Sequence, residues 1–458
     1  MELRIDRQAQ VPVVQQIVDA LACRLRQSDM EPGTRLPSAR QIARTNLLSH
    51  SSVLEACDRL VAQGVLASRQ GARFTVAAPT SAAADSPWFE GAQVQPVNAQ
   101  SELKLGCGGL PESWRETDDL TYAIREVSRT DMAGLFNYST ALGLPALRQQ
   151  ISKRLSVLDI AAEENRIMTT AGASQGLDLI VRTLLRPGDC AVVESPGYSM
   201  LFELLRLHGV SMIEVPRTPH GPDIEVLEAL LLENKPRALF INSFSHNPTG
   251  SSLAPVVAQQ ILKLAKKHGV LVIEDDVYAD LHSGPGTRLA ALDDNVIYVG
   301  SFSKTLSSSL RVGFVVAGAE VISRLAEAKR ISSLGASAFC ESVLACLLAS
   351  GAYRKLVLRL RQRLRHDREA ALQMLEDAEW EVFGNPVGGL FIWARSRKSD
   401  YAHVRTQARR FGVLLSSATA FNPTGEASDW QRINVACACD PRARAFFQAT
   451  ALDRPQAF

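Results

Sequence analysis

The sequence predicts two folded parts: a small helical head that ends in a hairpin, and a large α/β body built on a largely parallel sheet. Three observations predict this. In residues 1–77 apolar positions recur at helical spacing and lead into two short strand-like runs around a glycine. From about Glu102 onward, short apolar or β-branched runs alternate with amphipathic helical stretches, the pattern of strand–helix–strand units. A chain of 458 residues also exceeds what one core ordinarily supports, so at least two domains are expected. The boundaries read as 1–77, 78–101 and 102–458.

Bulk composition narrows the class. With 46% hydrophobic and 21% charged residues the chain can bury a large core, and a net charge of +2 means that any basic patch is local. The eight cysteines, at positions 23, 57, 107, 190, 340, 346, 437 and 439, form no C-x-x-C pair. That spacing argues against a disulfide framework and against a metal site, and leaves reduced thiols in a cytoplasm as the expectation. Met1 to Arg7 is polar and charged with no apolar segment behind it, and no apolar run reaches the roughly 18 residues of a membrane span. A cytoplasmic protein without membrane contact is expected.

In the head, Val14, Ile17, Val18, Leu21 and Leu25 share one helical face. A turn at residues 32–38 feeds a second helix, for which Ser38 and Gln41 make a capping box and Ile42 and Ala43 face inward. Ser49 can cap a third helix with Val53, Leu54, Cys57, Leu60 and Val61 as its core stripe. After Gly64, residues 65–68 and 73–76 flank Gln70 and Gly71 as a hairpin would. Three short helices and a hairpin describe a winged helix-turn-helix. His50, Ser51 and Ser52 open the third helix, where such an element meets base edges. Arg35, Arg40, Arg69 and Arg73 fall on the flanks and wing, positioned for the phosphates of double-stranded DNA. A helical domain with solvated arginines carries the same signals.

The string Gly33 to Ala43 resembles the signature of GntR-family transcription regulators, and Arg69 to Val76 resembles their wing. The resemblance implies operator binding through Arg35, Ser38, Arg40, Ser49, His50, Ser51, Ser52, Arg69, Gly71 and Arg73. It departs at two positions. Leu47 stands where the family has a turn glycine, with Asn46 expected to take the left-handed conformation instead, and His50 stands where arginine is common.

Residues 78–101 are rich in Ala, Ser, Pro and Gln and read as a linker, although Trp88 and Phe89 suggest that part of it docks on a domain. In the body, strands are expected at residues 190–194, 238–242, 270–274, 296–299 and 313–317. Ligands of open α/β sheets gather at the carboxyl ends of strands, and the suggestive motifs sit there. Ala173 and Ser174 open a helix; Tyr198, Asn247, Asp275 with Tyr278, and Ser301 with Ser303 and Lys304 follow strands; Arg311 and Arg432 come later.

Singly, each motif is a turn, a cap or a solvated charge. The ordered set fits pyridoxal 5'-phosphate (PLP). Its aldehyde needs an amine for a Schiff base, which Lys304 supplies. Its ring nitrogen needs a carboxylate, Asp275; its phenolic oxygen needs donors, Asn247 and Tyr278; its ring needs a stacking face, Tyr198. Its phosphate needs a helix N-terminus, hydroxyls and a guanidinium: Ala173, Ser174, Ser301, Ser303 and Arg311. A ligand carboxylate needs a fork, Arg432.

Residues 102–458 resemble the fold-type I, aspartate aminotransferase-like PLP-dependent transferases, with large and small subdomains and with Gly388 to Trp393 as a small-subdomain strand. The resemblance implies an aldimine at Lys304, an α-carboxylate on Arg432, and Tyr138 reaching the cofactor of a neighbouring subunit in a homodimer. The whole chain resembles the MocR/GabR-type regulators. That implies a regulator sensing an amino compound, or PLP itself; a working aminotransferase with an accessory DNA-binding domain is the alternative.

Overall fold

The computed structural model describes residues 13–27, 34–62, 66–69, 73–76, 102–130, 136–282, 286–417 and 419–451. Two compact units divide the chain between Gln93 and Val94. The whole of 77–101, with Trp88 and Phe89, lies outside the described residues.

The first unit starts with α1 (Val13–Gln27), which buries Ile17, Val18 and Leu21. Helix α2 (Ala39–Asn46) is capped by Ser38, whose Oγ accepts from Gln41 N at 3.2 Å, and buries Ala39, Ile42 and Ala43. Helix α3 (His50–Ala62) is capped by Ser49 Oγ, which accepts from Ser52 N at 3.0 Å, and buries Val53, Ala56, Cys57 and Leu60. Strands β1 (Leu66–Arg69) and β2 (Arg73–Val76) pair antiparallel, with Arg69 opposite Arg73. Residues 34–36 add a third rung: Leu36 N donates to Phe74 O at 3.0 Å and Val76 N to Thr34 O at 2.9 Å. Leu36, Leu66 and Phe74 thereby join the helices in one core. The side chain of Leu25, and residues 70–72 at the hairpin tip, lie outside the described residues.

The left-handed residue is not the expected one. Asn46 stays in α2 and donates Nδ2 to Ile42 O at 2.8 Å, while Leu47 takes φ 52° and ψ 42°. Helix-end geometry decides this. Leu47 N donates to Ala43 O, and Leu48 N donates to the same carbonyl at 2.9 Å. The first is an ordinary helical bond, but the second, one residue longer, closes only if the residue just past the helix is left-handed, whatever its side chain.

In the second unit come α4 (Asp118–Thr130), α5 (Pro145–Ser156), β3 (Ile167–Thr170), α6 (Ala173–Leu184), β4 (Cys190–Ser195) and α7 (Ser199–Leu207). Next are β5 (Ser211–Thr218), β6 (Gly221–Pro222), α8 (Ile224–Asn234), β7 (Ala238–Ile241), α9 (Pro255–His268), β8 (Leu271–Asp275), β9 (Ile297–Ser301) and β10 (Gly313–Val316). The sheet order is β3-β10-β9-β8-β7-β4-β5-β6. Strands β9, β8, β7, β4 and β5 run parallel, whereas β10 is antiparallel to both its neighbours and β6 is antiparallel to β5. The segment 302–312 between β9 and β10 holds no helix and cannot make the long crossover that a parallel pair requires.

Both sheet faces are covered. Val192, Leu239 and Val272 pack into one cluster and Val193, Phe240 and Ile273 into the other, so alternate residues of each strand serve opposite faces. The remaining elements are α10 (Ala319–Ser333), α11 (Ala338–Ala349), α12 (Ala352–Asp377), β11 (Trp380–Val382), β12 (Phe391–Ser396), α13 (Tyr401–Arg410), β13 (Gln431–Asn434), α14 (Val435–Ala438) and α15 (Pro441–Ala451). A small antiparallel sheet, β11-β12-β13, packs on α12 and α15 through Leu375, Trp380, Ile433, Phe446 and Phe447.

Candidate functional site

A cavity of about 370 Å³ opens at the carboxyl ends of β4, β7, β8 and β9. Ten of the residues singled out from the sequence line it: Ala173, Ser174, Tyr198, Asn247, Asp275, Tyr278, Ser301, Ser303, Lys304 and Arg311. They converge because parallel strands deliver their ends to one edge of the sheet.

Lys304 lies three residues past β9. Its Nζ donates to Gly108 O at 2.9 Å and sits 5.5 Å from the centre of the Tyr278 ring. Burial lowers its pKa below the usual lysine range, and the Arg432 charge pushes the same way, against an opposing effect of Tyr198. Such an amine gives up its proton more readily and is the better nucleophile. Asp275 closes β8. Burial raises its carboxyl to about 7, although Val277 N donates to Oδ1 at 3.2 Å. The acids on either side have partners of their own. Glu274 accepts from Leu289 N at 3.0 Å and Ala290 N at 2.8 Å, and Asp276 pairs with Arg288 Nε at 2.6 Å and Tyr298 OH at 2.9 Å. Asp275 is thus the member of the acidic run that the cavity receives.

The helix end of the cavity is built for an anion. Gly172, at φ 80°, caps α6, and Ala173 and Ser174 open it with backbone N–H groups that have no partner within the helix, at the positive end of the helix dipole. Arg311 donates Nη2 to Ala171 O at 3.2 Å and packs so closely on Gly172 that a Cβ there would overlap the guanidinium. Ser301 Oγ accepts from Ser303 N at 3.1 Å, and Ser303 Oγ is buried without a partner among the described residues. A buried hydroxyl left unpaired is costly, and an oxygen-rich ligand would satisfy it. Tyr198 and Ser174 both line the cavity, and burial raises the Tyr198 hydroxyl above its usual pKa.

Arg432, on β13, adjoins the cavity without lining it. Its Nε and Nη2 donate to Gly106 O at 3.1 and 2.7 Å, and Nη1 donates to Asn247 Oδ1 at 2.8 Å. The Phe391 and Phe421 rings each lie 4.7 Å from the guanidinium carbon. These oxygen partners are neutral, so a buried positive charge is oriented without being neutralised. That arrangement suits a carboxylate.

Sequence reasoning overlooked two parts of this site. Residues 105–109 form a strap whose carbonyls hold Lys304 and Arg432; the glycine density at 106, 108 and 109 was the available signal. Behind Asn247 lies a buried network. Glu194 pairs with Arg217 and accepts from Asn242 N at 2.8 Å, and Asn242 Oδ1 accepts from Asn247 N at 2.8 Å. Tyr138 is not brought to the cavity: it is 86% exposed.

In the head, Ser38 and Ser49 are occupied as helix caps, while Arg35, Arg40, His50 and Ser51 are exposed. Arg69 and Arg73 face each other in the hairpin ladder, and Gly71 lies outside the described residues. Among the described residues no cluster of ligating side chains could hold a metal, and no helix is long and apolar enough to cross a membrane.

Comparison with known proteins yields two family matches. Residues 13–76 match the bacterial regulatory proteins of the gntR family, and residues 101–445 match aminotransferase class I and II. The uncharacterized HTH-type transcriptional regulator YisV of Bacillus subtilis is 27% identical, covering 91% of this chain and 90% of its own. A 2-aminoadipate transaminase of Thermus thermophilus is 32% identical over 70% of this chain and 80% of its own. The solved structure of a multiple substrate aminotransferase from Thermococcus profundus superposes with a TM-score of 0.72 at 25% identity, covering 78% of this chain and 91% of that one.

Proposed function

Because the chain belongs to the aminotransferase class I and II family and carries a GntR-type head, we propose that it is a DNA-binding transcription regulator whose large unit binds PLP at Lys304 and responds to an amino compound or to PLP itself. The observation that carries the reading is the convergence on one cavity of a buried amine, a buried carboxyl and an anion cradle with an orphaned hydroxyl.

The residues fit the cofactor. Arg311, Ser301, Ser303 and the α6 N-terminus would hold its phosphate, Tyr198 its ring face, and Asn247 and Tyr278 its phenolic oxygen. Bound there, PLP supplies an aldehyde carbon that exchanges one amine for another. The chain's own contribution is electrostatic. Burial disfavours the Lys304 ammonium and makes its amine easier to deprotonate, and Asp275, raised by burial, would be ionised beside a ring N–H. Arg432 orients the carboxylate of an amino acid effector with its preformed fork. Tyr138, exposed on this chain, would serve the cofactor of a second copy in a homodimer.

In the head, His50 and Ser51 would approach base edges from the start of α3, and Arg35, Arg40, Arg69 and Arg73 would meet phosphates. An effector shifts DNA binding only by its differential affinity for two states of the protein. A gel shift on the DNA flanking its own gene, with and without PLP and candidate amines, tests the reading; binding that ignores every such ligand would refute the sensing role. The second reading, a working aminotransferase, is favoured by Lys304 and Arg432 adjoining one cavity. Repeated turnover of an amino acid with a keto-acid acceptor would establish it.

A further inference from the structure

Asn242 is the first residue past β7 and lines the cavity. The parallel register sets Ile241 beside Glu274, so Asn242 falls beside Asp275 at the end of β8. Where the backbone ladder stops, the side chain takes over. Its Nδ2 donates to Asp275 O at 2.7 Å and to Phe244 O at 3.2 Å, and its Oδ1 accepts from Asn247 N at 2.8 Å. The Asn242 backbone is held as firmly: its N donates to Glu194 Oε2 at 2.8 Å, and its O accepts from Arg217 Nη1 at 3.0 Å. Glu194 on β4 and Arg217 on β5 are both buried and pair with each other.

The two residues that Asn242 ties together are those assigned to the electronics of the ring, Asp275 to its nitrogen and Asn247 to its phenolic oxygen. The Asn247 amide has one orientation, because a guanidinium only donates. Its Oδ1 accepts from Arg432 Nη1 at 2.8 Å, which leaves Nδ2 as the donor available to the cavity. An aromatic ring is rigid, so partners for two of its positions must be held at a fixed spacing by the protein. A strand-end asparagine that only satisfies its own turn needs the bond to Phe244 O, two residues on. That role accounts neither for the reach across to β8 nor for the bond from Asn247 N.

We propose that Asn242 is a positioning residue for the cofactor: one side-chain amide, locked by the Glu194–Arg217 pair, sets the spacing between Asp275 and Asn247. The inference rests on the PLP reading above. Asn247 Nδ2, donating to the phenolic oxygen, stabilises its anionic form and lowers the pH at which the coloured complex gives up its proton. Asn242 acts on that pH through Asn247 and Asp275, without touching the ring itself.

The test uses the full-length protein loaded with PLP. In Asn242→Ala the pH midpoint of the visible absorption change should rise by about one unit, the effect of one lost hydrogen bond. Borohydride should still leave the pyridoxyl group on Lys304. Added to Asn247→Ala, the same substitution should move the midpoint by less than it does alone, since part of its effect has already gone. In the cofactor-free protein the Asn247 amide should exchange slowly in the wild type and about ten-fold faster in Asn242→Ala. If the alanine variant does not fold, Asn242→Ser, polar but too short to bridge, takes its place, and the wild-type exchange stands in either case. An unmoved midpoint in a folded, loaded variant would overturn the proposal and leave the PLP reading intact. Full additivity with Asn247→Ala, or a wild-type Asn247 amide exchanging at the open-chain rate, would do the same. A wild type that takes up no PLP would overturn both.

Discussion

Replacing Leu47 with glycine should stabilise the head, although it deletes a leucine. Leu47 sits at φ 52° just past α2, where a Cβ crowds the backbone at a cost of about 1–2 kcal/mol that glycine does not incur. Two terms oppose the gain. Glycine loses more conformational freedom on folding, about 0.5–1 kcal/mol. The leucine is 81% exposed, so the apolar burial forfeited is about a fifth of the roughly 2 kcal/mol that full burial contributes. The terms span about −0.4 to +1.1 kcal/mol and centre on about 0.4 kcal/mol in favour of the variant. Native-state hydrogen exchange of the full-length protein reads this directly. Amides of α1–α3 that exchange by unfolding of the head should slow by about two-fold, and by at most about five- to six-fold, while those of the second unit stay as they were. Exchange in the head that is unchanged or faster would refute the reasoning, because it would mean that the strain of the left-handed leucine does not exceed what glycine loses in entropy and burial.

Three further outcomes follow from the site and the head. Asp275, raised from 3.8 to about 7 by burial, binds a proton in the folded cofactor-free chain that it has already lost in the unfolded one. Its contribution to stability is therefore greatest below pH 3.8 and is lost as the pH rises through about 7, so Asp275→Asn should flatten denaturant midpoints across that window; a steeper profile would contradict the sign. Arg432→Met should weaken the spectral response to amino acids by about ten- to a hundred-fold, the loss of a charge-assisted hydrogen bond, and leave the response to amines without a carboxylate nearly intact. Equal loss for both ligand classes would remove Arg432 from carboxylate recognition. In filter binding, Arg40→Ala should weaken all DNA sequences alike and reduce the salt slope by about 1. A change confined to one sequence would make Arg40 a base reader.

The chemistry of the cavity was legible in the sequence wherever a role demands one residue type. A Schiff-base amine must be a lysine and a buried anion cradle wants arginine, serine and a helix start, so Lys304, Arg311 and Ser303 stood out by type and order. The strap 105–109 did not stand out, because its carbonyls do the holding and every residue has one. The Glu194–Arg217–Asn242 network was hidden for a different reason: its members lie on three strands or strand ends and meet only in the folded sheet. Strand β3 escaped because Thr169 and Thr170 interrupt its apolar run, yet both are buried. Thr169 bonds to Glu341, and Thr170 Oγ1 donates to Gly172 O at 2.9 Å. Long-range partners turned polar residues into core, and local pattern cannot register that. The left-handed position moved from Asn46 to Leu47 because hydrogen-bond geometry at the helix end outweighs side-chain preference.

The account stands or falls on one amine. Purified protein mixed with PLP should take on visible absorption at one equivalent per chain, and reduction with borohydride should leave the pyridoxyl group on the peptide that contains Lys304. Lys304→Ala should remove both signals while near-ultraviolet circular dichroism shows an intact fold. A wild-type chain that stays colourless, or a label found on other lysines at comparable yield, would contradict the claim that this cavity captures the cofactor.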